Sequence, residues 1–178
     1  MLNHPIHFSQ IKGSNANEKQ RMDFNAQNLK VAIKINTEHP EKSLIDTIVL
    51  NAPVITYTVY PEKKLRKDTL ASPTLPNNNI CFLQLNDPKF TINVVDSSGQ
   101  SSIITNAVNG IIQLNDVRLE EKKKKNCLTV SRLKYETNQL SATVAKQLFD
   151  PAAIRILASN LCYNFSDQSV DGLIDQLT

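Results

Sequence analysis

Apolar and polar residues alternate from Leu29 onward. Leu29, Val31, Ile33 and Ile35 are separated by Lys30, Ala32 and Lys34, the period of two that marks a half-buried strand. SLIDTIVL at 43–50 carries two patterns at once: Leu44/Ile48 and Ile45/Val49 sit at helical spacing with Ser43 as a cap, yet the β-branched run favours a strand. After a break at Asn51-Ala52-Pro53, VITYTVY places Ile55, Tyr57 and Val59 on one face and Thr56 and Thr58 on the other. ICFLQL at 80–85 resumes the sheet. FTINVVD, the turn Ser97-Ser98-Gly99-Gln100 and SSIITNAV read as a hairpin. IIQLNDVRL and NCLTVSRLKYE follow, joined through four consecutive lysines. The short links predict an antiparallel meander. No internal repeat stands out.

Both ends differ from this middle. Residues 1–27 show no sustained period and include the polar stretch GSNANEKQR, which predicts an extended arm. After Tyr135 the spacing becomes helical: Val144/Leu148 and Ala145/Phe149 are four apart, and Asp150-Pro151 has the form of an N-cap and first helical residue. Ile154, Leu157, Ala158 and Leu161 predict a second buried stripe, and Val170, Leu173, Ile174 and Leu177 an amphipathic terminal helix. The expected fold class is therefore α+β: an antiparallel β-sheet or small sandwich of about seven strands, followed by two or three C-terminal helices. Its parts are an arm at 1–27, a β domain at 28–136 with a long loop at 61–79, and a helical segment at 137–178 packed on the sheet.

The 178-residue length suits one domain with an appendage. No run approaches the roughly 18 apolar residues of a spanning helix, so no membrane insertion is expected. Cys81, Cys127 and Cys162 are odd in number and lack a CxxC pair, and no apolar leader opens the chain; both point to a cytoplasmic location. Fifteen Lys/Arg face eleven Asp/Glu over 28–136, whereas two face four over 137–178. That imbalance permits an anionic partner without requiring one.

Few constellations carry chemistry. His4-x-x-His7 has two metal-ligand residues but lacks the further ligands of a structural site. The four glycines cannot form a phosphate-cradling loop, and no GxSxG elbow occurs. Neither a cofactor nor catalysis is expected. Two basic clusters, Lys63/Lys64/Arg66/Lys67 and Lys122/Lys123/Lys124/Lys125, are the anion-binding candidates. They lack the interleaved aromatics of single-strand binders and have acidic neighbours, so solvated loop tips are the stronger reading.

The function expected from these features is non-enzymatic: protein–protein interaction by an adaptor or structural subunit of a larger assembly, as in viral structural or accessory proteins and bacterial secretion machines. Other protein subunits are the expected partners. Phe8, Phe24, Leu173, Ile174 and Leu177 are the candidate contact residues. Nucleic-acid binding through the lysine clusters is the alternative.

Overall fold

The computed structural model describes residues 2–16, 20–39, 43–60, 79–96, 99–122, 125–144, 147–149, 153–164 and 169–178. These form thirteen strands and, among the described residues, no helix. The strands are β1 (Leu2–Ala16), β2 (Gln20–Ile35), β3 (Leu44–Asn51), β4 (Val54–Val59), β5 (Asn79–Asn86), β6 (Lys89–Asp96) and β7 (Gly99–Val108). There follow β8 (Ile111–Lys122), β9 (Lys125–Thr137), β10 (Gln139–Val144), β11 (Gln147–Phe149), β12 (Ile154–Asn164) and β13 (Ser169–Leu177). All belong to one sheet.

The sheet is mixed. β3 pairs with β5, and β4 with β6, in parallel, while the other ladders are antiparallel. A parallel pair needs a crossover connection, which the meander expected from sequence overlooked; residues 61–78, most of the loop expected at 61–79, lie outside the described residues. Residues 2–16, expected as part of a separate arm, pair along β2 from Leu2↔Ile35 to Ala16↔Arg21.

β3 and β4 lie end to end against the single long strand β2. β5 and β6 repeat that arrangement at a constant offset, from Ile45↔Ile80 through Asn51↔Asn86 to Val59↔Val94. Asn51-Ala52-Pro53 thus stands beside Asn86-Asp87-Pro88. This is an internal structural repeat, missed in the sequence because only the Asn-x-Pro corner and scattered apolar positions are shared.

Two transverse rows break the strands into bands. The first row runs through Gln10, Ala52, Asp87 and Asn109, all with left-handed φ of 45–53°. Small residues are buried along it: Ala26, Pro53, Pro88 and Gly110. The prolines need no backbone donor there, and the Pro53 carbonyl accepts from the Lys89 amide at 2.8 Å. Asp87 N–H donates to the Gly110 carbonyl at 2.7 Å, while Gly110 N–H donates to Asp87 Oδ1 at 3.0 Å.

The second row holds Asp46, Cys81, Asp116, Ser131 and Asn160, as the flanking pairs fix. Asp116 and Asn160 are again left-handed, with φ of 50° and 53°. Asp46 is the extra residue of a bulge, since Ile45 and Thr47 face the adjacent Ile33 and Ala32 of β2. Across each row the apolar positions slip by one residue: Leu50 to Ile55 at the first, Ile45 to Ile48 at the second.

These slips explain why the C-terminal helices expected from sequence are absent. Ile154, Ala158 and Leu161 share a face of β12 because irregular Asn160 lies between the last two; their partners in β9 are Thr137, Leu133 and Val130. Similarly, a bulge at Asp175 puts Val170, Ile174 and Leu177 on one face of β13. Spacings of four and three residues are helical in a helix, and equally those of a bulged strand. The α+β class is therefore corrected to all-β. Residues 142–144 and 147–149 form the β10–β11 pair, while Asp150 and Pro151 lie outside the described residues.

Candidate interaction surface

The ladders assemble an apolar face from side chains opposite one another, which share a face of a sheet. One row runs Phe8–Leu29–Leu50–Leu85–Ile112–Tyr135–Ile156–Leu177, crossing eight strands from β1 to β13. A parallel row runs Ile6–Val31–Ile48–Leu83–Leu114–Leu133–Ala158–Ile174. At about 4.8 Å per strand each row is roughly 34 Å long. A shorter row, Ile33–Ile45–Ile80–Val117–Val130–Leu161, lies beyond the bulged row.

Burial on this face falls from centre to edge. Leu85, Val117, Val130 and Ala158 are buried, whereas Phe8 is 48% exposed, Leu177 66% and Ile174 72%. All positions of β3 and β4 are half-buried on both faces, without the buried–exposed alternation of a strand covered on one side. Burial around Tyr135 pushes its phenol above the usual pKa, consistent with an apolar centre.

The opposite face is polar. Asn86 Nδ2 donates to Asn51 Oδ1 at 2.7 Å, Gln84 Nε2 to Asn86 Oδ1 at 2.7 Å, and Gln113 Nε2 to Gln84 Oε1 at 3.0 Å. Glu136 receives Lys134 at 2.8 Å and Arg155 at 3.1 Å. Lys34 pairs with Asp46 at the bulge; that hydrogen-bonded ammonium holds the Asp46 carboxyl below its ordinary range. Arg21 binds Asp23 through two contacts of 3.0 and 2.8 Å, and the carboxyl is lowered chiefly by that hydrogen bond.

Of the contact candidates read from sequence, Phe8, Ile174 and Leu177 end the two long apolar rows. Leu173 faces the other way, opposite Ser159, and is 61% exposed. Phe24 is half-buried in another band of the sheet, where it lines a groove of about 510 Å³ with Lys12, Ser14, Asp23 and Asn25. Sequence reasoning missed Ile6 and Val170, whose place becomes evident only from the register. Lys63, Lys64, Arg66, Lys67, Lys123 and Lys124 lie outside the described residues. Lys122 pairs with Lys125 at the end of the β8–β9 hairpin, as the strand pattern predicts.

Residues 4 and 7 both lie in β1, and the His4 side chain is outside the described ones. Among the described residues no group of three His, Cys, Asp or Glu is placed to hold a metal. None of the described residues forms a helix long and apolar enough to cross a membrane. No family model matches the chain, and no curated protein matches it.

Proposed function

We propose that the chain is a non-enzymatic subunit or adaptor that docks onto other proteins of a larger assembly through its apolar face. The observation that carries this reading is the pair of apolar rows running edge to edge and ending at exposed Phe8, Ile174 and Leu177. Continuous apolar surface of this kind is characteristic of protein interfaces. The ion pairs and amide chain on the other face suit contact with water.

Affinity purification of the tagged chain from its native cell, at low and moderate salt and with nuclease in parallel, tests the proposal. Defined protein partners that survive both treatments are the expected result. Partners lost on nuclease treatment would contradict it and support nucleic-acid binding through the lysine clusters, since phosphate contacts weaken with salt.

A further inference from the structure

We infer that β13 receives an extended segment from a different protein, an added strand whose apolar residues alternate with lysine or arginine. This inference rests on the proposed interaction function and names the surface and the chemistry of the partner.

Three observations select β13 over β1, the edge at the opposite end of the apolar rows. First, among the described residues β13 ends the strand order with no strand on its outer side, and it is exposed at each position from Ser169 to Leu177. Unpaired backbone groups on such an edge are a template for another strand. Second, β1 carries features that discourage addition. Pro5 lacks an amide donor, and Gln10 at φ 53° kinks the strand. β13 contains neither proline nor lysine.

Third, side chains specify the incoming strand. Val170, Ile174 and Leu177 continue the apolar face of β12, so an added strand extends that face only with apolar residues on the same side. Asp171 is opposite Cys162 on the other side, and Asp175 supplies a second carboxylate in the bulge. β13 has no cationic side chain, so an added strand with basic residues complements its charge. A second copy of β13 would bring two more aspartates and fits poorly on the same ground.

The test uses the full chain and two nine-residue probes with free ends blocked, one alternating Val with Lys and the other Val with Glu. Binding is measured together with amide hydrogen exchange. The expected result is binding of the Lys probe, selective protection of 169–177, and weak or absent binding of the Glu probe. Asp171→Lys should weaken the Lys probe by about fivefold and improve the Glu probe. Equal binding of both probes, protection elsewhere, no binding, or indifference to Asp171→Lys would each overturn the inference. Protection of 169–177 that rises with the concentration of the chain alone would overturn it too, assigning the edge to a second copy. These outcomes are separate from co-purification: protein partners captured by the chain while the Lys probe fails would retain the docking function and reject this surface.

Discussion

Ala52 has φ 45°, a conformation costing an L-residue with a Cβ about 1–2 kcal/mol. Asp87 and Asn109 occupy the same row with side chains that tolerate this region better. Ala52→Gly should therefore raise stability by about 0.5–1 kcal/mol, after the entropy glycine loses on folding is deducted. Urea denaturation measures this, and an unchanged or lower midpoint would contradict the assigned conformation. At Asp46 the expectation concerns pH. Its folded pKa lies below the ordinary 3.8, so the Lys34 contact contributes above that value and its contribution is lost as pH falls through the folded pKa. Asp46→Asn should remove this component, and the stability difference between the two proteins should shrink in acid. A difference independent of pH across that range would show that the pair is not formed.

The bulges decide how the strands are read and where their side chains go. β12 needs Asn160 to keep Leu161 and Tyr163 on the apolar face. Deleting Asn160 should turn both toward the polar face and destabilise the fold by about 3 kcal/mol or more, on the scale of burying two large apolar side chains. A near-wild-type urea midpoint would argue against the register. β13 depends on Gly172, where an added Cβ would meet Leu161 Cδ2 at 2.5 Å and Leu161 Cα at 3.2 Å. Gly172→Ala should loosen β13 selectively, seen as faster amide exchange over 169–177, whereas unchanged exchange would contradict so close an approach.

Strands with simple alternation were legible from sequence. Leu29–Ile35 and Ile55–Val59 show it plainly, as do the runs that form the β6–β7 and β8–β9 hairpins. The terminal strands were misread for a physical reason: a bulge between apolar residues converts a strand's even spacing into an odd one. Ile154/Ala158/Leu161 and Val170/Ile174/Leu177 consequently resemble helix stripes. The contact candidates were partly legible because Phe8, Ile174 and Leu177 are large apolar residues in otherwise polar settings. Their common face was not, since it depends on pairing across eight strands.

At the scale of the molecule, one extended sheet carries a polar side and an apolar side. The centre of the apolar side is shielded by neighbouring strands, while its edges remain exposed. Such a sheet gains from a partner what a second layer supplies in a sandwich. The most direct measurement is amide hydrogen exchange over 169–177, made on the isolated chain and on the chain within the complex recovered from its native cell. Fast exchange in isolation and strong protection in the complex are the expected results. Equal exchange in the two states would contradict docking through β13, whatever else the complex contains.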